Sequence, residues 1–220
     1  MIKRESASSS ASSGLMPHQR PAPSGKGRAP SIAHKNQAPQ IKPLLHQHTL
    51  DVYDVTALIG LRTIVHNGAV EAINHQDELI VVVPHLEELR AAAAVMRCLL
   101  PIRLRGREIA AIRKILRLGP SGLAKRLGEP IPSMTICRWE SEELWMSERI
   151  EKRLRTLVCE QVGPKASHVE CAHSKIATFT IVDPWSGNPS YEVPPVVLSW
   201  IQVKDQSGSI TSAWDDKWAA

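Results

Sequence analysis

The stretch Gly122–Glu143, "GLAKRLGEPIPSMTICRWESEE", decides how the rest of the chain is read. Leu123, Ala124 and Leu127 recur at helical spacing, and Gly128 stops that pattern. Two prolines, Pro130 and Pro132, then force a turn. A second short helix is expected over 133–141, with Ile136 and Trp139 or Glu140 turned inward and Ser133, Met134, Cys137 and Arg138 turned outward. The chain has only nine aromatic residues among 220. One of them, Trp139, directly follows an outward arginine, which suits a bulky core plug that orients the face beside it.

Working outward, "LRGREIAAIRKILRLG" upstream carries an apolar stripe of Ile109, Ile112 and Leu116, with Ile115 on its border. Arg107, Arg113, Lys114 and Arg117 fall largely elsewhere. Gly119 and Pro120 are expected to end that helix and begin the next, over 120–127, because proline is favoured at the first helical position. A further helix is expected over 146–159, with Ile150, Leu154, Leu157 and Val158 inward. Spacing alone thus predicts four short helices around one small core, with a helix–turn–helix in the middle. A short helix fits the major groove of duplex DNA, and the helix before it fixes the approach. On that reading Ser133, Met134, Thr135 and Arg138 face base edges, and Arg113, Lys114, Lys125 and Arg126 face phosphates.

Charge is distributed unevenly. Residues 1–47 carry a net +6, residues 48–100 a net −4, residues 101–160 a net +5 and residues 161–220 a net −2. The basic blocks attract polyanions. These four segments are also the expected domains. Residues 1–47 are rich in Ser, Pro, Ala and Gly and read as a disordered basic extension. Residues 48–100 read as a small α/β segment. In it Asn67-Gly68 signals a hairpin turn between strands at 62–66 and 69–73, a third strand runs near 79–83, and a helix with Leu86, Leu89, Ala93, Met96 and Leu100 on one face ends at Pro101. Residues 101–160 are the helical block. Residues 161–220 read as a linker and β-rich tail, with strands in "IATFTIVD", "PPVVLSWIQVKD" and "ITSAWDDKW" forming an antiparallel meander.

Residues 112–140 resemble the helix-turn-helix of Cro and phage-repressor (XRE) regulators. The pattern is carried by Arg113, Leu116, Leu118, Leu123, Ala124, Leu127, Gly128, Ile136, Arg138, Trp139 and Glu140. Upstream, "YDVTALIGLRTIVHNGAV" resembles a segment of bacterial regulators related to MqsA-type antitoxins, and the Trp218–Ala220 ending is similar to the tails of that group. Gly119-Pro120 stands where the family has Ser-Gln, the turn before the reading helix is two residues longer, and the zinc-binding CxxC pairs of MqsA are missing. The resemblance implies a mainly α, four- to five-helix, lambda-repressor-like domain with a small α/β segment before it and a β-rich tail after it. It implies a bacterial transcriptional regulator that binds double-stranded DNA as a homodimer. An antitoxin whose acidic 48–100 segment holds a toxin protein while the helices repress their own operon, or an interaction module that binds no DNA, are the alternatives.

Other chemistry is poorly served. Cys98, Cys137, Cys159 and Cys171 have no CxxC spacing, and Cys171-Ala-His173 makes a poor start to a tetrahedral metal site. No nucleophile elbow or glycine-rich phosphate loop is present, so neither catalysis, a cofactor nor a metal is expected. No apolar run reaches the roughly 18 residues of a membrane span, and no signal-like stretch opens the chain, so a cytoplasmic protein without a membrane partner is expected.

Overall fold

The structure, a computed structural model, describes residues 48–216 except 75–76, 129, 167 and 205–207. The expected disordered extension over 1–47 and the Trp218–Ala220 ending lie outside the described residues.

The chain opens with strand β1 (His48–Asp54) and a single helical turn, α1 (Thr56–Ile59), then the long strand β2 (Thr63–Ile73) and the short β3 (Leu79–Val82). Helix α2 (Leu86–Leu99) follows, and then α3 (Gly106–Ile115), α4 (Pro120–Arg126), α5 (Ser133–Glu140) and α6 (Glu148–Val162). A short α7 (His173–Thr178) precedes strands β4 (Val196–Lys204) and β5 (Ile210–Asp215). All five strands join one mixed sheet. β2 pairs antiparallel with β1 along one edge. Along its other edge it pairs parallel with β4, Thr63 opposite Val196, and antiparallel with β3, Ala72 opposite Ile80. β4 and β5 form an antiparallel hairpin.

This overturns the mainly α, lambda-repressor-like class. Seven α-helices stand with a five-stranded mixed sheet among the described residues, and one core serves both. The sheet is assembled by pairings between strands far apart in the chain, which local periodicity does not carry. Three local readings change with it. Asn67-Gly68 does not turn the chain. Asn67 takes a left-handed φ of 57°, and the Asn67-Gly68 pair sits opposite the single residue Asp51, because Val52 pairs His66 and Leu50 pairs Ala69. The pair is therefore a β-bulge inside one continuous strand. A Cβ on Gly68 would lie 2.1 Å from Trp214 Cη2, so the glycine lets the buried Trp214 ring lie against the strand. The segment "IATFTIVD" is not a strand: α7 takes its first half and buries Ile176, and Val182 makes only an isolated bridge to Ile102.

Helix α2 is the third. The expected single apolar face is replaced by burial all round, with Ala91 to Val95 all in the core. The helix packs against α3 and α6 and against β4 and β5. A helix enclosed this way needs side chains that allow close approach from every direction, which the alanine run supplies.

Two ion pairs fix how α2 passes into α3. Arg97 and Glu108 are 2% and 4% exposed. Arg97 Nε donates to Glu108 Oε1 at 2.6 Å and Nη2 to Oε2 at 2.8 Å, while its remaining donors reach the carbonyls of Ile102 and Arg103. Arg155 on α6 is fully buried beside Glu151. It donates to Cys98 O, Leu100 O and Ile102 O at 2.6–2.8 Å. The last carbonyls of a helix have no partner within it. Here a guanidinium from another helix, rather than water, satisfies one at the end of α2 and two in the loop beyond it.

Candidate nucleic-acid interface

Helix α4 begins as its sequence requires. Pro120 sits in the first turn after the N-cap Gly119, and Leu123 and Ala124 are buried. The left-handed residue that closes α3 is Arg117, φ 57°, rather than Gly119. Leu118 N–H donates to Arg113 O at 3.1 Å and Arg117 N–H to Lys114 O at 2.9 Å, the paired bonds of a Schellman end. Gly128, φ 75°, closes α4.

Helix α5 packs against both α4 and α3. Ile136 is fully buried and Trp139 is 6% exposed, so the indole serves as the plug. Glu140 is half-buried and pairs with Arg113: Arg113 Nε lies 2.5 Å from Oε1 and Nη2 lies 2.9 Å from Oε2. That hydrogen bond raises the Arg113 guanidinium above its ordinary pKa. A second tie follows two residues on, just past the end of α5. Arg105 Nε and the Gly106 N–H both donate to Glu142 Oε1, at 2.8 and 2.9 Å. The Arg105 hydrogen bonds hold the Glu142 carboxyl below the usual carboxylate range. Gly106 is obligatory for this closeness, because a Cβ there would lie 2.3 Å from Glu140 O. The end of α5 and the residues just after it are thus stapled to the first and last turns of α3.

What this rigid seat leaves outward is a short polar face. Ser133, Met134, Cys137 and Arg138 are exposed, and Thr135 is half-buried. Arg138 keeps a loose partner, Glu143 at 4.0 Å, with both side chains largely exposed. Lys125 and Arg126 are exposed in the last turn of α4, and neither has a salt-bridge partner among the described residues.

The remaining two expected phosphate contacts are placed differently. Arg113 is occupied by Glu140 and by Leu118 O at 3.0 Å, with its side chain 14% exposed. Lys114 is exposed but lines a groove with Arg90 and Arg107 that neither Lys125 nor Arg126 reaches. The structure instead brings Arg153 of α6 to the turn after α4, where a Cβ on Gly128 would lie 3.5 Å from its Nη2. Arg153 is exposed. Arg153 lies on the border of the apolar stripe of α6, and only the fold brings it to Gly128, two residues after Arg126.

Among the described residues, no group of three or more His, Cys, Asp or Glu side chains is placed to hold a metal ion, and no helix is long and apolar enough to cross a membrane. Cys159 and Cys171 are hydrogen-bonded to each other, and burial pushes both thiols above their ordinary pKa.

No known family, curated protein or solved structure matches this chain.

Proposed function

We propose that the protein is a sequence-specific DNA-binding transcriptional regulator in which α5 enters the major groove. One observation carries this reading: α5 is clamped from behind by Trp139 and Glu140 while Ser133, Met134 and Arg138 stay outward, and the adjoining α4 exposes Lys125 and Arg126, which have no salt bridge among the described residues. An arginine in that setting can grip guanine O6 and N7, and the serine can bond a base edge or a phosphate. Thr135 sits at the edge of the same face. Lys125, Arg126 and Arg153 supply the sequence-independent attraction that sets affinity and register. Binding as a homodimer to an inverted repeat, with the two α5 helices about 34 Å apart, matches the geometry such units use.

Selection of bound sites from random duplexes tests it, and a palindromic consensus is the expected result. On the selected site, Arg138→Ala is expected to cost about 1–3 kcal/mol and to relax preference at one base pair. Lys125→Ala is expected to weaken binding to all sequences and to lower the salt slope by about one. Bound DNA should also shield the exposed Cys137 thiol from alkylation. No enriched site, or two variants that titrate like the parent, overturns the reading.

A further inference from the structure

A groove of about 960 Å³ lies among α1, α2, α3 and the segment at 191–193. Its floor is made where α1 ends against α3. Gly60, φ 83°, lets the chain turn there, and a Cβ on it would lie 3.0 Å from the Ala111 Cβ. Six cationic residues line the groove: Arg62, Arg90, Arg107, Lys114, Arg117 and Lys165. Glu108 also borders it but is committed to Arg97. The other acids, Asp54, Glu87 and Glu192, number half the cations. Glu192 holds Arg62 at 2.7 Å, and Glu87 alone holds both Arg90, at 3.1 Å, and Arg117, at 2.7 Å. Arg107, Lys114 and Lys165 have no salt bridge among the described residues.

We propose that this groove is a binding site for a small molecule bearing a di- or triphosphate group. The cations belong to five separate segments around one concavity: the residue row after α1, α2, α3, the turn after α3, and the turn after α6. A compact polyanion meets all of them at once. A duplex backbone instead presents phosphates in a line, and is met best by cations along one stripe. The excess of about three positive charges and a volume at the upper end of small-ligand sites both match a group of that size. The side of α3 that faces the groove carries Arg107, Ala110 and Lys114, whereas Arg113 turns to α5, so the site does not depend on the DNA-binding reading.

Inorganic tripolyphosphate is the probe, titrated calorimetrically into the full chain at moderate salt, with no DNA present. Saturable one-site binding is expected. Arg107→Ala/Lys114→Ala should weaken it by about ten-fold or more, since two unpaired charges leave the site. Glu87→Gln should tighten it by about three-fold, because Arg90 and Arg117 then turn to the ligand. That gain cannot arise from a damaged fold. Lys175→Ala, the loss of an exposed lysine that does not line the groove, should leave affinity unchanged. Absence of saturable binding overturns the proposal, as does a loss in Lys175→Ala equal to that of the double variant. So does a double variant that binds tripolyphosphate like the parent but loses affinity for DNA, which would make the groove a track for a nucleic-acid backbone.

Discussion

Replacing Arg155 with alanine tests the claim that a buried guanidinium, not apolar packing alone, holds α2 to α6. The side chain is 0% exposed and makes five hydrogen bonds. Two go to Glu151 Oε1, at 3.2 and 2.6 Å, and three to the carbonyls of Cys98, Leu100 and Ile102. Ile102 O keeps a second donor in Arg97, and Glu151 keeps the Leu104 N–H at 2.9 Å. Removal therefore strands a carboxylate with one partner, and leaves Cys98 O and Leu100 O without their side-chain donor. Breaking one side of a buried ion pair costs about 3–5 kcal/mol, and an orphaned buried carbonyl adds about 1 kcal/mol or more. A loss of at least about 4 kcal/mol is expected, a large share of the roughly 5–15 kcal/mol that holds a domain together. Urea unfolding followed by far-ultraviolet circular dichroism measures it. Arg155→Lys should fall between the two, because an ammonium offers fewer donors and no planar fork. Adding Glu151→Gln to Arg155→Ala should cost less than the two single losses combined, since the second change removes the stranded charge. A loss under about 1 kcal/mol for Arg155→Ala would refute the reasoning, because only carbonyls and a carboxylate already served by water could tolerate it.

Two further substitutions probe the bulge and the α5 staple. Gly68→Ala should destabilise by about 2–3 kcal/mol, because its methyl would have to displace the fully buried Trp214 ring, and the urea midpoint reads the loss. Glu142→Gln should lower stability by about 1–2 kcal/mol near neutral pH, a modest figure because the Arg105 pair is partly exposed. The folded Glu142 carboxyl is held below its ordinary value of 4.5, so its contribution is present above that pH and is lost as the pH falls through the depressed value. The gap between parent and variant should therefore be constant at pH 6–7 and shrink below about pH 4.5. A gap that widened in acid would contradict the assigned pairing.

The helices around α5 were legible because their information is local. Leu123, Ala124, Leu127, Ile136 and Trp139 repeat at helical spacing, and Pro120 and Gly128 punctuate them within a few residues. The sheet was not legible for the opposite reason. β2 and β4 are joined in parallel from Thr63 to Val196, and nothing near either residue announces the other. Asn67-Gly68 shows how a correct local rule can lead elsewhere. The pair does supply a left-handed residue followed by a glycine, but a bulge uses the same conformation as a turn, and Trp214 decides between them from the far end of the chain. Binary patterning does not reveal the buried charges. Arg97, Glu108, Glu151 and Arg155 count as surface residues in any apolar stripe, whereas each is buried because its partner is.

The same buried and paired charges change what a net charge means. The 101–160 block carries thirteen basic residues, but six of them answer closely to an acid: Arg103 to Asp183, Arg105 to Glu142, Arg113 to Glu140, Arg117 to Glu87, Lys152 to Glu148 and Arg155 to Glu151. A polyanion that draws on these residues must first break such a pair, and for Arg105, Arg113 and Arg155 the pair also ties separate parts of the chain together. The cheaper cations are those without such duties, and they fall in two places: Lys125, Arg126 and Arg153 beside α5, and Arg107 and Lys114 in the groove. Arg113 and Lys114 make the division plain. They are neighbours in sequence, yet the turn of α3 commits the first to holding α5 and gives the second to the groove. Attraction for anions is therefore set by which cations the fold leaves unpaired, not by the sum over the block.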